Sequence, residues 1–400
     1  MESTYFRRGF GLKAEIEGRL TADYHSAVVE RLRANQYELT AGPLTFRLAR
    51  EFGFCYGVER AVDYAYETRH KFPDRRLYLV GEIIHNPHVN QKLSDMGVRF
   101  LTRGDDGQFD FAPIQPEDVV ILPAFGVTVG DFERLRAVGC VLVDTTCGSV
   151  LNVWKRVESY ARDGFTAIIH GKHYHEETKA TASQVTRHPG GRYLVVLNHD
   201  EARAVCDFIE QGGDTTALAA RFARSVSPGF DFERDLVRVG IANQTTMLSG
   251  ESLAIAREIG ASMARRYGEA ALAEHYRSFD TICSATQERQ DAVVALLDRP
   301  LDLMIVVGGY NSSNTCHLAA LVRSRGVAVY HIEDADAVDP AARTLRHQPI
   351  GTKQEAVATD WLGPARVIGM TAGASTPNNK IGETIVRICE TAGVEPDLAS

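Results

Sequence analysis

Cys55, Cys147 and Cys283 stand in three similar settings, FGFCYGVERAV, VDTTCGSVLNVW and FDTICSATQERQDAV, each after a strand-like run and just ahead of a helical one. In an open α/β sheet that is the carboxyl end of a strand, where the crevice lies and ligands bind. Three thiolates gathered there could hold a metal centre at the junction of three lobes. A cysteine taken singly is more often a small buried hydrophobe. Cys140 opens the apolar run VGCVLVD, Cys206 and Cys389 fall inside helical patterns and Cys316 starts a helix face, so these four are expected in the core. The other three have small, polar, turn-forming neighbours, and a helix N-terminus at such a place stabilises a thiolate. Zinc fits poorly, because no CxxC or matching HxxxH pair is present. An iron-sulfur cluster fits better. A cubane normally takes four cysteines, so three would leave one iron open to a substrate oxygen as a Lewis acid.

A second set of polar residues lies at other strand ends. His85 is in VGEIIHNPHVNQKL, His175 and Glu177 in IIHGKHYHEETKATAS, Thr245 in IANQTTM, Ser312, Ser313 and Asn314 in VVGGYNSSNTCHLA, and Ser375 in IGMTAGASTP. NSSN follows a strand and opens a helix, so hydroxyls, an amide and backbone N–H groups converge there, which is how phosphate is held without lysine. TAGAS has the same plan, and two such anion cradles suit a diphosphate. Each feature also has a plainer reading. Asn and Ser before a helix are good caps, and Glu177 at a helix start is favoured by the helix dipole. No P-loop and no GxGxxG is present.

The elements that must position these residues are of the α/β class. Short β-branched runs recur at Leu77–Val80, Val119–Leu122, Val141–Val143, Ala167–Ile169, Tyr193–Leu197, Val237–Ile241, Leu303–Val307, Ala328–His331 and Val367–Met370, as buried parallel strands should. Helical patterns alternate with them at Gly57–Arg69, Val150–Arg162, Glu201–Glu210, Ala285–Leu297 and Thr315–Arg325. Arg103–Pro116 reads as a polar surface loop and Asp334–Pro364 as a long irregular stretch. Residues 1–43 form a partly helical N-terminal extension. One cysteine setting per third of the chain predicts three lobes, 44–140, 141–240 and 241–400, with the final strand and helix able to return to the first.

Composition bounds the function. The chain has 400 residues, 44% hydrophobic and 24% charged, too many for one compact core. A net charge of −8 and the absence of a basic stripe argue against nucleic acid as a partner. No apolar run is long enough to span a bilayer as a helix, so no membrane partner is expected. The first residues lack the apolar core of a secretory signal and carry Glu2, Glu15 and Glu17, so a cytoplasmic protein is expected. Seven cysteines, an odd number, then read as reduced thiols and metal ligands.

With these residues in view, the chain resembles the 4-hydroxy-3-methylbut-2-enyl diphosphate reductase family, most closely its plant and cyanobacterial branch. The resemblance is carried by FGFCYGVERAV, GEIIHNPHV, VDTTC, HGKHYHEET, IANQTTM, TICSATQERQ, GGYNSSN and TAGASTP, in the family's order. It implies three α/β lobes in a pseudo-threefold cloverleaf around a central [4Fe-4S] cluster, with Cys55, Cys147 and Cys283 as ligands and the fourth iron open to the substrate hydroxyl. It further implies that His85, His175, Ser312, Ser313, Asn314 and Ser375 bind the diphosphate, that Glu177 supplies a proton, and that Thr245 helps orient it. The reaction implied is reductive dehydroxylation of the allylic diphosphate to isopentenyl and dimethylallyl diphosphate, the last step of the non-mevalonate isoprenoid pathway. Where many bacterial relatives carry a histidine, this chain has Phe125 in LPAFGV, which removes one diphosphate donor.

No flavin or nicotinamide motif is present, so electrons are expected from a separate carrier, which the resemblance gives as ferredoxin or flavodoxin. A homodimer is allowed for. Two rival readings use the same cysteines. A three-lobed dehydratase resembling quinolinate synthase would need neither NSSN nor TAGAS and no electron donor. An iron-sulfur sensor would need a partner or nucleic-acid surface, which this acidic chain does not offer.

Overall fold

Residues 4–279 and 281–395 are described by a computed structural model of the chain. The β-branched runs become strands with both faces covered, because alternate side chains enter different cores. In Leu303–Val307, Leu303, Ile305 and Val307 face one apolar cluster while Met304 and Val306 face another. Each such side chain contributes about 1.5–3 kcal/mol on burial. No helix among the described residues is long and apolar enough to cross a membrane.

The chain divides into two units, and the first draws on Met1–Arg7, Arg75–Gly81 and Phe100–Cys283. It is built on two sheets. One has the order Tyr5–Phe6, Val141–Asp144, Val119–Leu122, Leu77–Val80, Val98–Leu101; the other runs Tyr276–Ser278, Val239–Asn243, Thr166–His170, Tyr193–Val196. The second unit carries the order Glu38–Ala41, Leu44–Leu48, Val367–Ala372, Leu303–Val307, Val329–Ile332. Glu38–Ala41 is its antiparallel edge.

One strand order recurs in all three sheets. A strand leading to a cysteine (Val141–Asp144, Tyr276–Ser278 or Leu44–Leu48) pairs in parallel with a second strand (Val119–Leu122, Val239–Asn243 or Val367–Ala372). The second pairs in parallel with a third: Leu77–Val80, Thr166–His170 or Leu303–Val307. In two sheets the cysteine strand comes last in the chain. In the remaining sheet its place is taken by Leu44–Leu48, from the start of the chain, so the repeat is circularly permuted. Sheet pairing therefore cuts across the segment limits read from the sequence: Val141–Asp144 lies beside Val119–Leu122, on the other side of the 140/141 division.

Other expectations change outright. Arg103–Pro116 is not simply a surface loop, since Phe109, Phe111 and Ile114 within it are buried in a core. Asp334–Pro364 is not irregular: Val338–Asp339, Thr344–His347 and Ala356–Thr359 form a small antiparallel sheet. The N-terminal extension supplies the helices Lys13–Tyr24 and Ala27–Ala34.

His331, on Val329–Ile332, donates from Nε2 to the Gly308 carbonyl at 2.9 Å and so braces the start of the GGYNSSN loop. Burial pushes this imidazole down to about 4. Between pH 6.5 and that value the unfolded chain binds a proton that the folded chain refuses, so stability falls as the pH is lowered through the window. From pH 7 to pH 5 the wild type should lose about 2 kcal/mol more than His331→Gln, which keeps an N–H donor and cannot titrate. Urea unfolding midpoints of the two proteins at both pH values measure this, and equal losses would remove His331 as the cause.

Candidate functional site

The three cysteines share one backbone connection. Each N–H donates to the carbonyl two residues past the end of the second strand of its own sheet: Cys55 to Ala374 at 3.2 Å, Cys147 to Ala124 at 2.7 Å and Cys283 to Thr245 at 3.4 Å. A helix begins one residue later in each case, at Tyr56, Gly148 and Ser284. Cys55 and Cys147 stand at the N-cap positions of their helices with extended backbone and make no side-chain cap. All three are half-buried, whereas Cys140, Cys206 and Cys389 are buried, their thiols pushed up by burial to about 11, 12 and 11. Cys316, expected in the core, is also half-buried, and its thiol donates to the Tyr310 carbonyl.

Among the described residues no group of three or more His, Cys, Asp or Glu side chains closes around a position for a single metal ion. The donor set has the chemistry of a thiolate-held cluster, whose iron atoms each take their own sulfur. Cys147 and Cys283 lie in the first unit and Cys55 in the second.

In the first unit, the Thr166–His170 strand leads into a turn from which His175 caps the helix Glu176–Ser183. His175 Nδ1 accepts the N–H of Glu177 at 3.2 Å. A backbone N–H can only donate, so the neutral ring carries its proton on Nε2. The Glu177 carboxyl is 3% exposed and held at both oxygens by one residue: Oε1 accepts the Thr245 N–H at 2.6 Å, and Oε2 accepts the Thr245 hydroxyl at 3.0 Å. Thr245 is also the acceptor for the Cys283 N–H, so a cysteine turn and a carboxyl share one anchor. Phe125 follows Ala124, the acceptor for Cys147, and sets its ring edge-on to His175 with centroids 6.4 Å apart.

In the second unit, four expected residues converge. Ser312 caps the helix Ser313–Ser324, accepting the Thr315 N–H at 3.3 Å. Ser375 donates to the His85 carbonyl at 3.2 Å and lies 3.5 Å from Ser312 Oγ. Asn314 Oδ1 accepts the Ala374 N–H at 2.9 Å, which orients its amide so that Nδ2 faces away as a donor. Ser312, Ser313, Asn314 and Ser375 are 5%, 2%, 2% and 7% exposed, yet Ser313 Oγ and Asn314 Nδ2 have no protein partner among the described residues. Buried donors left unspent at a helix N-terminus are costly unless a ligand takes them, and the helix dipole makes that ligand an anion. His85 approaches the same loop: a Cβ on Gly309 would lie 2.5 Å from the His85 carbonyl, so only glycine allows this contact. The His85 ring bonds through Nδ1 to Glu82 at 2.8 Å.

Supporting residues escaped the sequence reading. Buried Arg289 donates to the Gly53 carbonyl at 2.7 Å and to Ala285 at 2.9 Å, fixing the turn before Cys55, where Gly53 has φ +67°. Gln244, fully buried, accepts from Lys172 N and Thr178 Oγ1 and ties the Glu177 helix to the strand end. Asn90 brackets the His85 turn through Ile83 N and Ile84 O. Only Asn86–Pro87, a cap followed by proline at the first helical position, carried a legible local signal.

Comparison with known proteins gives a consistent answer. Residues 46–389 match the family described as LytB protein. A 4-hydroxy-3-methylbut-2-enyl diphosphate reductase of Gloeobacter violaceus is 51% identical over 394 residues, covering 98% of this chain and 93% of that protein. One from Thermosynechococcus vestitus is 50% identical over 385 residues, 96% and 94% of the two chains. Among solved structures, an (E)-4-hydroxy-3-methyl-but-2-enyl diphosphate reductase, described as the terminal enzyme of the non-mevalonate pathway, aligns at TM-score 0.51 and 27% identity, covering 86% of this chain and 99% of its own. The Plasmodium falciparum E-1-hydroxy-2-methyl-but-2-enyl-4-diphosphate reductase aligns at TM-score 0.62 and 21% identity, over 85% and 86% of the two chains, which bears on the fold.

Proposed function

The chain belongs to the LytB protein family, and from that premise we infer that it reduces 4-hydroxy-3-methylbut-2-enyl diphosphate to isopentenyl and dimethylallyl diphosphate. Two electrons and two protons enter; the hydroxyl leaves as water with one proton, and the other ends on carbon. The observation that carries this reading is the pair of buried, unspent donors, Ser313 Oγ and Asn314 Nδ2, at the N-terminus of one helix.

Cys55, Cys147 and Cys283 would hold a [4Fe-4S] cluster. When bound, the cluster supplies the electrons and, at the iron that no cysteine holds, a Lewis acid for the departing oxygen. Ser312, Ser313, Asn314, Ser375, His85 and His175 would grip the diphosphate, remote from the reacting carbon. Binding energy spent there places the hydroxyl end of the substrate without loosening any reacting bond.

Glu177 would hold the proton. Its Oε1 is committed to a backbone N–H, so the acid form carries its proton on Oε2, beside the Thr245 hydroxyl. That hydroxyl can accept the proton and pass on its own, so Thr245 orients the acid and offers a relay. Ferredoxin or flavodoxin would deliver the electrons, since the chain carries no flavin or nicotinamide motif of its own.

The test is anaerobic: reconstitute the cluster, add a strong chemical reductant, and follow conversion of the hydroxylated diphosphate to the two products. Asn314→Asp goes alongside, because it keeps the bond to Ala374 and replaces the outward donor with a carboxylate. Loss of a charged hydrogen bond of up to about 3 kcal/mol raises KM by about a hundredfold, with iron content unchanged. No conversion by a wild-type protein with an intact four-iron cluster would reject the reading.

A further inference from the structure

Ser149 stands two residues after Cys147, in the first turn of the helix Gly148–Arg162, and its hydroxyl donates to the sulfur of Cys283 at 3.3 Å. Both residues are half-buried. At the matching place after the other two cysteines stand Gly57 and Ala285, which have no hydroxyl to give. The three look-alike turns are therefore unequal at this position: the one beginning at Cys147 carries a hydroxyl there, and it reaches a neighbouring cysteine.

We propose that Ser149 is a positioning and tuning residue that raises the reduction potential of the cluster by hydrogen bonding to the thiolate of Cys283. The proposal rests on the reading of Cys283 as a cluster ligand. An electron added to a cluster spreads over its sulfurs, and a hydroxyl donor stabilises the more negative state more than the less negative one. The bond also fixes the direction of the Cys283 side chain, as outer-shell donors do for metal ligands generally. Because the hydroxyl acts on one sulfur, its removal leaves Cys55 and Cys147 with their backbone anchors intact.

The experiment compares reconstituted wild-type protein with Ser149→Ala, Ser149→Thr and Ser149→Val, measuring iron and sulfide content and the midpoint potential in an anaerobic spectroscopic redox titration. Thr and Val have nearly the same shape and differ in the hydroxyl. The midpoint should move to more negative potential in Ser149→Ala and Ser149→Val and stay near the wild-type value in Ser149→Thr, at equal iron content. Equal midpoints in all four proteins, or equal shifts in the Thr and Val variants, would overturn the proposal. Cys283→Ser is measured in the same series. If that variant keeps full iron at the wild-type midpoint, it is the ligand reading that fails, an outcome distinct from a silent Ser149.

Discussion

Glu177→Gln is expected to retain the cluster and bind the substrate while losing turnover by about 10²- to 10⁴-fold, the usual worth of a positioned general acid. The amide has the shape of the acid, and its oxygen can still accept the Thr245 N–H that now meets Oε1. What it lacks is a proton that can leave with the departing oxygen. Because Glu177 is buried, solvent cannot readily stand in for it. Thr245→Ser should keep most of the activity, because it keeps the hydroxyl at 3.0 Å, and Thr245→Val should fall toward the glutamine variant, because valine matches threonine in shape and lacks that hydroxyl. Single-turnover kinetics with a pre-reduced enzyme isolate this step from electron delivery. Wild-type rates in Glu177→Gln would falsify its role as proton source.

Replacing Cys55, Cys147 or Cys283 by serine should strip or destabilise the cluster and abolish turnover, because a hydroxyl is a far poorer ligand for iron than a thiolate. Serine at Cys140, Cys206 or Cys389 instead places a hydroxyl in an apolar core and acts on folding, with iron per folded chain unchanged. Iron and sulfide analysis of the six variants after anaerobic reconstitution separates the classes. Full iron in all three ligand variants would sink the assignment. Cys316 is the informative control, as a half-buried thiol whose donor is already spent on Tyr310.

Much of the site was legible because its signals are local. A cysteine followed at once by a helical pattern, a cap before Ser313–Ser324, and a glutamate in the first turn of Glu176–Ser183 all depend on residues a few positions apart. Arg289, Gln244 and Ser149 were not legible. Each acts on a group far away in the chain, and an arginine within a helical pattern looks the same whether it points to solvent or to the Gly53 carbonyl. The buried part of Arg103–Pro116 was missed for a related reason: its Gly, Asp and Pro residues describe the backbone turns, while Phe109 and Phe111 find their core only through distant strands.

By itself the sequence determined most of the element types, the residues proposed here for a cluster, an anion and a proton, and the family they resemble. Periodicity, caps and side-chain chemistry act over one or two turns of chain and do not need the rest of the molecule. The tertiary structure alone decided which strands meet: Leu44–Leu48 completes a sheet with Val367–Ala372 from the other end of the chain, a pairing worth forming only when the intervening residues have folded. It alone decided the working state of each polar group too. The outward amide of Asn314 and the clamped carboxyl of Glu177 are each set by a backbone N–H that a folded neighbour brings into reach.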